Sequence, residues 1–468
     1  MTDLTPSLCV DVTTLAHWHR PAVGIVRVEQ QLVRWLLDQS PAQLHFVVYH
    51  RDQAQFTELS PAAVQNHLDR LDNYHAQQGL GAGPTGPSFE DRLARKALQL
   101  LAHLPARWQQ PVYNQLLRAK PAIVQLLSRA AALRQRFRAR GQGVPASSSS
   151  AAAAFQLPRG SVYVSLGLDW NYKDMAQLYR IKQAQNLKML LFCYDIIPIR
   201  LPHLCVADVS RQFAHYFVDL AWCADLILCI SRSSQRDLTA FLGAMSVPLP
   251  RTDVIRLGAD ILPGNPQPHT PDQAGPLNEG ITRYTREPYI LFVSTIERRK
   301  NHEILYRAYT RLAEEGLSLP LLLFVGMPGW GVNELHADLA LDPRTQGRIH
   351  AFNHVNDLEL AHLYQHASFT VYPSLYEGWG LPVAESLAYG KFCLCANTSS
   401  LPEVGEQWVE YLDPWDLPAW VDRLRHFITH PQDVAQRNAA ISAGYAPHPW
   451  RQTAADIYRH AIALGGRA

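Results

Sequence analysis

The stretch HVNDLELAHLYQHASFTVYPSLYEGWGLPVAESLAYGKFCLCANTSSLPEV, residues 354–404, carries a complete α/β repeat and sets how the rest of the chain is read. Asn356 with Glu359 three residues on has the spacing of a capping box and starts a helix. SFTVYP (368–373) and KFCLCA (391–396) are short apolar runs of strand type. Between them lie the turn YEGWG and a helix that opens at about Leu381. Glu377 therefore stands in a glycine-rich turn at the carboxyl end of a strand, with Glu385 about one turn inside the next helix. Gly378 and Gly380 let backbone N–H groups approach an anion, and a helix N-terminus supplies about half a positive charge to hold a diphosphate. Both acids are then placed to accept hydrogen bonds from sugar or ribose hydroxyls.

Moving towards the N-terminus, FVSTIERRKNHEILYRAYTRL (292–312) puts Arg298, Arg299 and Lys300 at the end of a strand and just before a helix. Such a cluster can neutralise a diphosphate leaving group; the bland alternative is a charged loop facing water, above all for Arg298. YILFVS (289–294), LPLLLFVG (319–326), RIHAF (348–352) and WVEYLD (408–413) complete a series of apolar runs separated by helical spacing. LCVDV (8–12), LHFVVY (44–49), VYVSLG (162–167), KMLLFCYD (188–195) and DLILCI (225–230) form an earlier series. The expected fold class is α/β, with two doubly wound Rossmann-like domains facing across a cleft. The expected organisation is a first domain at 1–261, a Pro- and Gly-rich linker at 262–288, a second domain at 289–446 and a terminal helix at 447–468.

An insertion at about 52–157 breaks the first series. Between Glu90 and Arg140 it carries eleven Lys or Arg residues against Glu90 and Asp91, and the run SSSSAAAA (147–154) then reads as a tether. One reading is a basic amphipathic element that docks on an anionic membrane surface, drawn at about 1 kcal/mol per basic residue. The other is a solvated helical hairpin. Over the whole chain of 468 residues, 43 Lys plus Arg against 41 Asp plus Glu leave a charge of +2, which gives no field for binding nucleic acid. The seven cysteines lie mostly in apolar runs and read as reduced, buried thiols; Cys393 and Cys395 have no second pair nearby, and no metal site is expected. The N-terminus lacks a basic region followed by an apolar one, and no run approaches the ~20 apolar residues of a membrane span. The expected location is the cytoplasm, with peripheral contact to the inner face of a membrane.

Weaker patterns also occur. GAGPTG (81–86) follows a polar segment rather than a strand, and GMPGWG (326–331) reads as a turn, so neither is a dinucleotide fingerprint. His17 and His19, beside Arg20, fit either a contact with acceptor or diphosphate or a solvated loop. Trp379 fits a sugar site, and Trp330 fits packing better.

Together these motifs resemble the retaining glycosyltransferases of family four, which have the GT-B fold. The resemblance covers nearly the whole second domain: ERRKN, VGMPGWG, NDLELAHLYQHA, EGWGLPVAE, SSLPEV and EYLDPWD. It continues more faintly in DVTTLAHWHRPAVGIVRVEQQLVRWL, YDIIPIRLP, LILCISRSSQRDL and the tail PHPWRQTAADIYRHAI, which is similar to a helix that crosses back onto the first domain.

The resemblance implies a hexosyltransferase that needs no metal and no cofactor beyond its nucleotide-sugar substrate. Lys300 and Arg299 would hold the diphosphate, Glu385 the ribose, and Glu377 with the backbone of Gly378, Trp379, Gly380 and Leu381 the sugar hydroxyls. Gly24 would pack near the phosphates from the first domain, and Asp195 is the polar residue on the acceptor side. Many members have an arginine five residues before this lysine, where the chain has Thr295. The TIE-RRKN and GIVRVE segments are most similar to mannosyl- and rhamnosyltransferases, which implies GDP-mannose as donor and a glycan or lipid-linked acceptor of a bacterial surface polysaccharide. The alternatives are a catalytically silent GT-B scaffold in a polysaccharide assembly complex and a soluble-sugar synthase or phosphorylase.

Overall fold

The computed structural model describes residues 6–19, 22, 24–72, 153–205, 208–262, 279–329, 331–353 and 355–466. The basic stretch 90–140, GAGPTG, residues 147–152 of the tether, 263–278 of the linker, Arg20 and Trp330 lie outside them.

Two sheets carry the fold. The first joins β1 (Leu8–Asp11), β2 (Leu44–His50), β3 (Gln55–Leu59), β4 (Val162–Ser165), β5 (Lys188–Cys193), β6 (Leu226–Cys229) and β7 (Arg251–Val254) in the order β3-β2-β1-β4-β5-β6-β7. The second joins β8 (Tyr289–Val293), β9 (Leu321–Val325), β10 (Ile349–Phe352), β11 (Phe369–Tyr372), β12 (Cys393–Ala396) and β13 (Glu410–Leu412) in the order β10-β9-β8-β11-β12-β13. All pairings are parallel except β2 with β3. The central strands are mostly apolar and buried along their whole length, as helices on both faces require. In each sheet the strand order reverses beside its first strand, between β1 and β4 and between β8 and β11. Crevices for ligands open at the carboxyl ends there.

The structure differs from the sequence reading at three places, one of them the edge strand β7, which the apolar series did not include. The insertion expected from residue 52 starts later, because β3 and the helix Pro61–Asp72 belong to the first domain, and Phe155 N donates to Phe56 O at 2.7 Å. QFTEL buries only Phe56 and leaves its other positions exposed or half-buried, which is the pattern of an edge strand rather than of a buried parallel one. The remaining difference is a short helix, Glu279–Tyr284, inside the expected linker; its Ile281 is buried with Tyr289 of β8 in the core of the second domain.

The terminal helix Trp450–Gly465 packs on the helix Ile25–Gln39 of the first domain. Its first turn is pinned there: Trp450 N donates to Asp260 Oδ1 at 2.7 Å, and Thr453 Oγ1 donates to Arg256 O at 2.9 Å. A Cβ at Gly258 would sit 2.5 Å from Trp450 N, so only glycine permits this approach.

At the carboxyl ends of β1 and β4 the first domain buries a charged network. Lys173 Nζ lies 3.0 Å from Asp11 Oδ1 and 2.8 Å from Asp169 Oδ1, and Tyr163 donates to Asp11 Oδ2 at 2.7 Å. Glu29, on the helix that follows the first glycine loop, accepts from Leu15 N at 3.0 Å. Complete burial, reinforced by Asp11, pushes the Glu29 carboxyl up to about 8.

Candidate functional site

The second domain's crevice is built from two loops. β8 ends at Val293, and Arg298–Lys300 form a single 3-10 turn before the helix His302–Glu314. β11 ends at Tyr372, and the turn through Glu377 and Gly380 opens the helix Leu381–Ala388. Gly380 is the N-cap with φ of 121°, a conformation that L side chains rarely adopt, and Pro382 suits the first turn.

These loops meet at Glu377. Its Oε1 lies 2.6 Å from Lys300 Nζ and accepts from Ser374 Oγ at 2.5 Å and Tyr372 OH at 3.1 Å; its Oε2 lies 3.0 Å from Arg299 Nη1. Arg299 Nη2 is also held 2.8 Å from Glu297 Oε1. Burial would raise the Glu377 carboxyl, but Arg299 and Lys300 overcome it and hold the group down at about 2. Burial, with Arg299 beside it, lowers Lys300 from its ordinary value. Ser400 Oγ donates to Glu377 O at 3.0 Å and Trp379 O at 2.6 Å, and Ser399 accepts from Glu377 N at 2.7 Å, so the SSLPEV segment fixes the glycine turn from behind. Trp379 is buried, and its indole N–H finds no acceptor among the described residues. Glu385 is buried one turn into the helix, accepts from Tyr364 OH at 3.0 Å, and is raised by burial while Arg27 of the first domain pulls it down.

The first domain closes directly on this turn. A Cβ at Gly378 would lie 2.6 Å from Tyr194 O and 3.2 Å from Asp195 Oδ2. Asp195 Oδ1 accepts from Ile197 N at 3.0 Å, and burial raises its carboxyl. Ser234 Oγ donates to Tyr194 O at 2.9 Å and Gly378 O at 3.2 Å, tying both domains to one hydroxyl. Glu403 of the second domain accepts from Arg232 N at 2.7 Å and Ser233 N at 2.8 Å, so its carboxylate sits on the N-terminus of the first-domain helix Arg232–Ala244.

The structure thus brings together Glu377, Arg299, Lys300, Gly378, Trp379, Gly380, Leu381 and Asp195, while Glu385, in the helix that follows, faces Tyr364 and Arg27. Gly24 is the N-cap of the helix Ile25–Gln39, with φ of 51° and no atom within 4 Å of where a Cβ would be. Arg298 has no bond to Glu377; its aliphatic stem packs beside Gly331. His17 lies outside the cluster, with Nδ1 2.8 Å from Thr13 O and its ring stacked on Tyr172. The sequence reading missed Glu297, Tyr372, Ser374 and Arg27. Glu297 stands beside the recognised cations, and its position before Arg298 was the available signal.

Among the described residues no three His, Cys, Asp or Glu side chains converge as metal ligands, and no helix is long and apolar enough to cross a membrane.

Residues 277–446 match the family described as Glycosyl transferases group 1. Serotype-specific mannosyltransferase WbdA of Escherichia coli is 30% identical over 198 residues, which are 41% of this chain and 24% of that protein. O-antigen chain mannosyltransferase B of Escherichia coli is 35% identical over 158 residues, 34% of this chain and 40% of that protein. The match therefore spans about a quarter of the first relative and less than half of the second. Sucrose-phosphate synthase from Thermosynechococcus elongatus superposes with a TM-score of 0.53 at 16% identity, covering 97% of this chain and 99% of that one. This last likeness is one of fold, the GT-B arrangement of two Rossmann-like domains.

Proposed function

We propose that this chain, whose residues 277–446 match the group 1 glycosyl transferases, moves a hexose from a nucleotide-sugar donor to a glycan or lipid-linked acceptor with retention at the anomeric carbon. The observation that carries the reading is the Glu377 cluster: a carboxylate in the glycine turn, bound by Lys300 and Arg299, just before a helix whose N-cap, Gly380, supplies no side-chain cap.

In this reading the diphosphate lies at the N-terminus of the helix Leu381–Ala388, beside Lys300 and Arg299. Glu385 accepts from ribose hydroxyls. Glu377 and the backbone of Gly378, Trp379, Gly380 and Leu381 hold the sugar, and the free indole N–H of Trp379 supplies a donor. The acceptor hydroxyl attacks the anomeric carbon on the face the diphosphate leaves, through an oxocarbenium-like transition state. The bond from that carbon to the phosphate oxygen breaks, and the departing phosphate takes the acceptor's proton. Cations and a helix dipole aimed at the charge that develops lower this barrier without a metal ion. Glu377 and Glu385 serve as hydroxyl acceptors, since Glu377 stays ionised and both lie on the donor side. Asp195 borders the sugar from the first domain and orients the acceptor.

Mannose is the proposed sugar and GDP-mannose the donor, because the named relatives are mannosyltransferases. The acceptor is proposed to be a surface polysaccharide or its lipid-linked precursor at the cytoplasmic face of a membrane. The test is nuclear magnetic resonance of the sugar product with GDP-mannose and an α-mannoside acceptor. A product that keeps the donor's anomeric configuration supports the reading, and inversion contradicts it.

A further inference from the structure

The second domain's cations are already matched. Arg299 and Lys300 face Glu377 and Glu297, with Asp195 close by. A diphosphate that enters this site adds about two negative charges and needs a further cation.

Arg27 is that cation by position. It lies in the first turn of the helix Ile25–Gln39, three residues after Gly24, and its side chain is only 8% exposed. Its Nε donates to Ala22 O at 3.2 Å, which aims the guanidinium out of the first domain. Its Nη2 lies 2.7 Å from both Oδ1 and Oδ2 of Asp357, which opens the helix Asp357–His366 of the second domain. The same guanidinium acts on Glu385, the residue assigned to the ribose. Arg27 therefore reaches across the crevice to the edge of the donor site. Asp357 is 46% exposed and does not hold its helix end, because Asn356 and Glu359 form the capping box there. It is free to release its partner to solvent at little structural cost.

We propose that Arg27 is the first-domain ligand of the donor's diphosphate, and that Asp357 holds its place until the nucleotide arrives. This rests on the functional reading above and adds to it: the diphosphate takes the guanidinium from a carboxylate, so binding and the grip between the two domains are exchanged for one another.

The test is titration calorimetry of GDP, UDP, dTDP and ADP, and of the corresponding nucleosides, on wild type, Arg27→Ala, Arg27→Lys, Asp357→Asn and the double variant Arg27→Ala/Asp357→Asn. For the diphosphate that wild type binds, Arg27→Ala weakens affinity by about 10- to 100-fold and Arg27→Lys by less. Asp357→Asn tightens it by about two- to tenfold, because the competing carboxylate is gone. The double variant matches Arg27→Ala, and nucleoside affinity changes in none. Unchanged diphosphate affinity in Arg27→Ala, or weakening in Asp357→Asn as large as in Arg27→Ala, overturns the inference alone; the latter result makes the pair a plain interdomain latch. Folded wild type that binds none of the four diphosphates overturns the functional reading, and the inference with it.

Discussion

Lys300 and Arg299 hold the two oxygens of one carboxylate: Nζ of Lys300 lies 2.6 Å from Glu377 Oε1, and Nη1 of Arg299 lies 3.0 Å from Oε2. The pair of adjacent cations is thereby held on one carboxylate. Glu377→Gln takes from buried Lys300 its carboxylate partner, leaves Arg299 with Glu297 as its remaining ion pair, and destabilises the fold by about 3–5 kcal/mol. Urea denaturation at neutral pH measures it; a loss below about 1 kcal/mol contradicts the electrostatic account.

The same carboxyl sets an acid limb. Its folded value of about 2 lies below the ordinary 4.5, so its contribution to stability is present above 4.5 and is lost as pH falls through about 2. Between those limits the urea midpoint of wild type should fall more steeply than that of Glu377→Gln. Parallel curves would show that Glu377 does not titrate in this window.

Glu29 has the opposite sign. Its folded value of about 8 lies above 4.5, so its contribution is full below 4.5 and is lost as pH rises through about 8. Glu29→Gln keeps the acceptor for Leu15 N, carries no titratable proton, and should lose less stability than wild type between pH 5 and 8. Melting temperatures across that range decide it.

Gly378 is where the two domains touch over the site. Gly378→Ala forces a methyl to within 2.6 Å of Tyr194 O, and the loop carrying Glu377 must shift away from Asp195. We expect kcat to fall about 100-fold with circular dichroism unchanged. Near-normal turnover in this variant would show that the contact with Asp195 is dispensable.

Glu403→Ala removes a carboxylate from the N-terminus of the helix Arg232–Ala244, a contact worth about 0.5–2 kcal/mol. The domains should part more readily, seen as a larger radius of gyration by small-angle scattering without nucleotide. An unchanged radius would assign the grip to Arg27–Asp357 and to Tyr376, which donates to Asp237.

Much of this was legible in the sequence because parallel strands buried on both faces are unbroken apolar runs, and YILFV or LLLFV reads the same in chain and fold. The glycine turn was legible for a similar reason: EGWG followed by Leu381–Pro382 is local chemistry, complete within a few residues. β3 and β7 were missed because QFTEL and RTDV are short, half-exposed edge strands without such a run. Arg27 and Glu403 were missed for another reason. Each gains its role from a partner 330 or 171 residues away, and nothing in GIVRVE or SSLPEV marks which loop of the other domain it will face.

Binding of a nucleotide diphosphate at Lys300 is read by a thermal-shift screen of GDP, UDP, dTDP and ADP and their sugars, on wild type and Lys300→Ala. One nucleotide should raise the melting temperature of wild type by a few degrees at about 100 times its dissociation constant, with no rise in a folded Lys300→Ala. No shift with any of them in folded wild type would contradict that binding and leave a silent scaffold as the better description.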